Sequence, residues 1–350
     1  MGQKARQSLQ QCNAGPDGFS LILAASGGPR WVGLVGIDRV LARYLKGRND
    51  TSPLPCLGAS SGAWRLAALS ADQNGETYEE LLHEYIEQSF EGSPTPEEIS
   101  RVCRAYLARL FTPERVNHSL NNPNLQLNFT TAILNREYPG KTATSLAMAR
   151  ALAHNGLSRE KLGKTFQRGL FSVLPHPQDS ALAQAWDQIP TVQIELTQQN
   201  FRRGIMATGS IPMILEGESS IPGSPRGHHL DGGVLDYHFE IPQPAGPVLY
   251  PHFSADPIPG WLDRFPPYRR VGREARDWLC LILPSDEMLA RYPTGDYPNR
   301  HHFKKFSNPE RKKMWRQAAL ENEKLEAELT ACLEAGDLLR VAEELRGGRR

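Results

Sequence analysis

No run of about 18 apolar residues occurs anywhere in this 350-residue chain, and its mean hydropathy is −0.47. Nothing in it is built to span a bilayer as a helix. An excess of one charge is missing too. The 40 Lys and Arg face 39 Asp and Glu, for a formal net charge of +1, which gives no reason to expect nucleic acid or a strongly acidic partner. Cysteine is scarce and scattered. Cys12, Cys56, Cys103, Cys280 and Cys332 make an odd number with no C-x-x-C among them, a pattern that suggests neither a disulfide framework nor a zinc site. They read as reduced thiols in a cytoplasmic protein. The N-terminal MGQKARQSLQQCNAGPDG lacks the apolar core of a signal peptide. Arg6 stands where a myristoylation signal has Ser or Thr. Residues 1–17 are therefore expected to be a flexible leader. Internal repeats and low-complexity tracts are also lacking.

What is present is concentrated between Pro53 and Leu69. The sequence PLPCLGASSGAWRLAAL holds Gly58-Ala59-Ser60-Ser61-Gly62, a G-x-S-x-G pattern between a short apolar run and a helical one. That is the layout of a nucleophile elbow, in which a strand ends, the chain turns sharply and a helix starts under the serine. Such a turn is crowded, and Gly58, Ala59, Ser61, Gly62 and Ala63 are all small. A helix opening at Ser61 would aim its free N–H groups and positive dipole end at the Ser60 oxygen.

The rest of the chain alternates strand and helix signals. Phe19 to Ala25 is a continuous apolar run of the kind that forms a strand buried on both faces. It ends in Ser26-Gly27-Gly28-Pro29-Arg30, and Leu34, Ile37, Leu41 and Leu45 come next at helical spacing. Two successive strand-turn-helix units predict a parallel α/β sheet with sites at the carboxyl ends of its strands. Further on, Glu76 to Leu110 is helical in pattern, Leu125 to Leu134 a strand, and Ser145 to Leu170 two helices broken at Asn155-Gly156. Thr191 to Leu196, Pro247 to Phe253 and Trp278 to Leu283 supply more strands, and the proline-rich Asp256 to Arg270 is loop. A long polar helix opens with Asn308 as N-cap and Pro309 at its first position, is interrupted at Gly336-Asp337, and gives way to a last short helix. The expected division is a catalytic domain over 18–305 and a C-terminal helical extension over 306–350.

An acyl-transfer serine needs donors for the oxyanion and a base for its proton. The Gly27-Gly28 turn can present N–H groups to a substrate, each donor being worth roughly 3 kcal/mol in the transition state. Pro29 has no N–H, which leaves Gly27, Gly28 and the Ser61 amide. Neither G-x-G-x-x-G nor a Walker loop is present, so a nucleotide loop is not indicated. For the base, Leu230-Asp231-Gly232-Gly233-Val234 places an aspartate before two glycines in a tight turn.

Taken in chain order, these three pieces resemble the patatin-like phospholipase family, over roughly residues 20–237. The resemblance implies a three-layer α/β/α sandwich with a mostly parallel central sheet, extended here by C-terminal helices. It implies a Ser-Asp dyad without histidine or cofactor: Ser60 as nucleophile, Asp231 as base, Gly27 and Gly28 as oxyanion loop and Arg30 at the family's basic loop position. Gly58, Gly62, Gly232 and Gly233 support the motifs. Ala207 to Pro212 resembles the small-residue stretch upstream of the aspartate. The family's G-G-G-x-[KR]-G reads here Ser26-Gly27-Gly28-Pro29-Arg30-Trp31, with Ser26 and Trp31 in place of the outer glycines. The implied activity is hydrolysis of lipid or simple carboxylic esters, without metal, through an acyl-enzyme. An aspartate near its ordinary pKa of about 3.9 is a weak base for a hydroxyl, so the site requires direct contact, burial and the helix dipole.

Two alternatives stand beside this reading. One is a Ser-His-Asp hydrolase that draws on His238, His252, His301 or His302, with Asp231 or Asp236 as orienter. The other is a non-catalytic binding module on the same fold. Trp31, Trp64 and the Trp261-Phe265-Tyr268 loop carry a further expectation, transient contact with a membrane surface.

Overall fold

The computed structural model describes residues 1–11, 15–50, 52–135, 141–174, 182, 186–266 and 268–345; Cys12 lies outside them. Among the described residues nine strands form one sheet: β1 (Leu21–Ala24), β2 (Leu54–Gly58), β3 (Leu125–Leu134), β4 (Phe166–Ser172), β5 (Thr191–Glu195), β6 (Glu218–Ser219), β7 (His228–Asp231), β8 (Val248–Pro251) and β9 (Leu279–Ile282). The order is β5-β4-β3-β2-β1-β8-β9, with β7 also on β3 and β6 on β7. Pairing is mostly parallel. The exceptions are β3 with β4, β3 with β7 and β6 with β7. This is an α/β fold with a central sheet flanked by helices.

The apolar runs became strands because both of their faces are covered. Along β1, Ile22 and Ala24 enter one core, whereas Leu21 and Leu23 enter a second on the opposite face, the two-residue alternation of a pleated strand. The first core is sealed by helices that include Val35–Leu45, Ser61–Ser70, Glu76–Glu87, Pro96–Leu110, Phe201–Thr208 and Asn308–Glu334. On the other face Ala147, Met148 and Ala151 of the helix Lys141–Leu157 pack on Ala132 and Leu134 of β3.

Three expectations are corrected. Residues 3–11 of the presumed leader form a helix with Ala5 and Leu9 fully buried. The Gly2 N–H donates to the Leu279 carbonyl on the open edge of β9, so this segment covers an edge strand. The helix Lys141–Leu157 runs straight through Asn155-Gly156. The buried Asn155 amide donates to Asp263 Oδ1 at 2.9 Å and its carbonyl groups accept from Arg269, a tertiary grip that outweighs local propensity. In place of a second α-helix, a 3-10 turn over Arg159–Lys164 leads into β4. Lastly, the long C-terminal helix is capped by Ser307, not Asn308. Ser307 and Glu310 form a reciprocal capping box, with two N-terminal donors satisfied at once. That helix buries Trp315 and holds Asn322 between the Gly36 N–H and the Tyr292 hydroxyl.

Candidate active site

Strand β3 builds the site by being longer than its neighbours. Along one edge its first half pairs with β2 as far as Gly58 opposite Phe129. Its second half pairs on the same edge with β7, running the other way, from Asp231 opposite Thr131. The two strands therefore meet end to end, one residue of β3 apart. The turn that leaves β2 faces the residue that ends β7, and these carry Ser60 and Asp231.

Ser60 occupies the tight turn from β2 into the helix Ser61–Ser70, at φ 54° and ψ −132°. A serine is held there only because the surroundings over-determine it, a mark of functional sites. Two observations show what does the holding. The Ser60 N–H donates to Thr208 Oγ1 at 3.0 Å, and that hydroxyl donates to the Thr130 carbonyl at 2.6 Å, in the gap between β2 and β7. Gly62 comes so close to β1 that a Cβ would run into the Ala24 carbonyl oxygen, so this motif position admits no side chain.

Asp231 ends β7 and caps the short turn Gly232–Val234. Its Oδ1 accepts the Gly233 N–H at 2.7 Å, and its Oδ2 accepts the Ser60 hydroxyl at 2.7 Å. Both residues are buried. Burial pushes the Asp231 carboxyl up from 3.8 to about 6, against the opposing pull of the Ser60 hydroxyl, the Arg300 charge and the Gly233 amide. Desolvation disfavours the charged form, and the result is a far better base than an ordinary aspartate.

The glycine turn after β1 lies beside the elbow. Ser26 bridges the two: its N–H donates to the Tyr237 carbonyl and its hydroxyl to the Ala59 carbonyl at 3.0 Å. The Gly27 N–H is already engaged by Ser61 Oγ at 3.3 Å. Gly28 adopts φ 55° and opens a 3-10 helix, Gly28–Leu34, as Ser61 opens its own. Amides at these first positions have no acceptor within their helices, so Gly28 and Ser61 are the better placed donors. Arg30 is not free: it donates to the Tyr237 hydroxyl at 3.3 Å and its guanidinium lies over Phe253. Trp31 is buried against Tyr78 and Tyr85, and takes no part in lining the site. Trp64 is also buried, its indole donating to the Ile205 carbonyl, so neither tryptophan can meet a membrane.

A cavity of about 220 Å³ opens onto Ser60 and Asp231. Ile211, Pro212, Met213, Ile214, Met148, Val234 and Trp261 supply apolar wall, and Ser26, Tyr237 and Arg300 the polar remainder. Sequence reasoning missed Thr208 as an anchor, although it lies within the small-residue stretch from Ala207 to Pro212, and it missed Arg300, which no motif marks.

Among the described residues no histidine bonds to Ser60 or Asp231, and none lines this cavity. His238 and His252 are buried neutral rings that accept the Ile258 and Ser254 amides, and burial lowers the pKa of both. His302 meets Trp315 and Asn299, and His301 is exposed. Asp236 is committed to Arg168. None of the four histidines that the triad alternative draws on is therefore placed to serve Ser60. Among the described residues no group of three His, Cys, Asp or Glu side chains is placed to hold a metal ion, and no helix is long and apolar enough to cross a membrane.

No family model matches the chain, and no curated protein is significantly similar to it in sequence. Among solved structures it is similar to the type III effector protein ExoU, with 14% identity and a TM-score of 0.27 over 88% of this chain and 53% of that one. The chain thus spans about half the length of that protein, and a likeness this distant leaves the case for function with the residues themselves.

Proposed function

We propose that the protein is a serine hydrolase of carboxylic esters, acting on lipid acyl chains through a Ser60–Asp231 dyad of the patatin-like kind. The observation that carries this reading is the 2.7 Å bond from the Ser60 hydroxyl to a buried carboxylate whose pKa is pushed up to about 6. Near neutral pH that carboxylate is ionised yet basic enough for general-base catalysis. Asp231 takes the Ser60 proton as Oγ attacks the ester carbonyl, and the carbonyl π electrons move onto oxygen. The Gly28 and Ser61 amides hold this oxyanion. Its collapse breaks the ester C–O bond, and the departing alkoxide takes the proton from Asp231, leaving an acyl-Ser60. Water then enters, gives its proton to Asp231 and attacks the acyl carbon. The second collapse frees the acid, and Ser60 recovers its proton.

The apolar wall formed by Ile211, Met213, Ile214 and Trp261 suits an acyl chain. Met213 and Ile214 are about half exposed, and Phe265, 55% exposed, packs its ring against Trp261 of the cavity wall, so these side chains would meet a lipid surface directly. Liposome binding unchanged in Met213→Ser/Phe265→Ser would sink that part. The scattered cysteines with no C-x-x-C among them are the ground for proposing a cytoplasmic setting. The decisive test is labelling by a fluorophosphonate probe of the wild type, Ser60→Ala and Asp231→Asn. Labelling of the wild type alone is expected. A folded wild type that does not label would move a binding role to the front.

A further inference from the structure

One charge at the site has no role in the dyad chemistry. Arg300 lines the same cavity as Ser60 and Asp231. Its side chain lies over the glycine turn, where a Cβ at Gly28 would stand 3.0 Å from its Nε and 3.6 Å from Nη2. The residue is exposed, and among the described residues it has neither a carboxylate partner nor a hydrogen-bond acceptor. Other arginines near this end of the sheet are committed: Arg30 to Tyr237, Arg168 to Asp236 and Asp187, Arg269 to Asp263. A surface arginine free in solvent is commonplace, but this one is positioned. Its field reaches the Asp231 carboxylate and opposes the effect of burial there. It shares the lining of that cavity with an apolar wall, so the opening offers both a surface for hydrocarbon and a planar fork of N–H donors. That fork matches the oxygens of a phosphate or carboxylate in a way that water and neutral groups do not.

We propose that Arg300 is a specificity-determining residue, binding an anionic group that the substrate carries beside its scissile ester. The inference rests on the hydrolase reading and adds the substrate's charge to it. Arg300 does not touch the reacting bond. It orients the ester so that its carbonyl oxygen enters between the Gly28 and Ser61 amides. A charge-assisted bond of this kind at an exposed site is worth about tenfold in affinity.

The test measures protection of Ser60 from a fluorophosphonate by octyl phosphate, by octanol and by inorganic phosphate, in the wild type, Arg300→Gln and Arg300→Lys. In the wild type octyl phosphate is expected to protect at about a tenfold lower concentration than octanol. The two should become equal in Arg300→Gln, and part of the gap should return in Arg300→Lys, which keeps the charge without the fork. Because each comparison is internal to one variant, a change in labelling rate alone does not disturb it. An octyl phosphate advantage that survives in Arg300→Gln overturns the proposal. So does inorganic phosphate protecting as well as octyl phosphate, since the site would then take a free ion and not a group on the substrate. A folded wild type that never labels removes the hydrolase reading itself, an outcome distinct from the other two because no protection ratio exists.

Discussion

Replacing Asp231 by asparagine should make the protein more stable while destroying its chemistry. The carboxyl is raised from 3.8 to about 6 by burial, so the fold binds the protonated form more readily than the unfolded chain does. The stability this group contributes is fully present below 3.8 and is lost as pH rises through about 6. Carrying the charge at neutral pH costs the fold about 3 kcal/mol. Asparagine has the same shape. Its amide oxygen can accept the Gly233 N–H, and its NH2 can donate to Ser60 Oγ, so both existing contacts are kept without the buried charge. The gain should be about 3 kcal/mol at pH 8, fall to about 1 kcal/mol near pH 4.5 and vanish below the unfolded value. For a chain of this size that is a rise of roughly 3 to 6 °C in Tm at pH 8. Urea unfolding followed by tryptophan fluorescence at the two pH values, with thermal scans beside it, measures the gap. An Asp231→Asn protein no more stable than the wild type at pH 8, or a gap that does not change with pH, would refute the reasoning.

Three further outcomes are expected. The rate of Ser60 labelling should rise with pH and level off above about 6 as Asp231 ionises; a flat profile, or a midpoint near 3.8, would remove Asp231 as base. Thr208→Val should cost about 3 kcal/mol in urea unfolding and slow labelling, because it strands the Ser60 N–H and the Thr130 carbonyl in a buried site; Thr208→Ser should restore both. Leu9→Ala, which empties a fully buried position in the N-terminal helix, should destabilise the protein by about 2 to 4 kcal/mol without altering the labelling rate of folded protein. A loss under about 0.5 kcal/mol would show that the helix adds nothing to the core.

The parts of the site that could be read in the sequence are those whose chemistry is local. The elbow announces itself because a strained turn needs small residues on both sides of Ser60, β1 because a strand buried on both faces is written as an apolar run, and β3 because it is rich in β-branched and aromatic residues. Asp231 was different: Asp-Gly-Gly is an ordinary turn, and only the resemblance of three separated pieces raised it. Strand direction leaves no mark in composition, so the antiparallel entries of β4 and β7 were invisible. Yet the second of these is what brings Asp231 to Ser60. The helix over residues 3–11 was missed because it offers only Ala5 and Leu9 to the core, too little periodicity to stand out from a polar leader. At the C-terminal helix Ser307 and Asn308 are equally good caps by residue type, and Glu310, three residues after Ser307, is the signal that decided between them. Arg300 could not be found from sequence at all. It belongs to no motif, and its place depends on how the chain between β9 and the last long helix folds back over the glycine turn.

If Ser60 and Asp231 act as proposed, the end-to-end meeting of β2 and β7 on β3 also sets when the protein can become reactive. Ser60 and Asp231 are 171 residues apart in the chain, and nothing local to the elbow supplies a base. A nascent or partly folded chain can complete β1, β2 and the helix beneath the serine and still present an inert hydroxyl. On the proposed dyad, reactivity should appear only when β7 docks antiparallel into the space that β2 leaves open, a long-range pairing that is costly in loop closure. Labelling of Ser60 during refolding would therefore time the docking of β7, and on the proposed dyad a chain that stalls before it should not label.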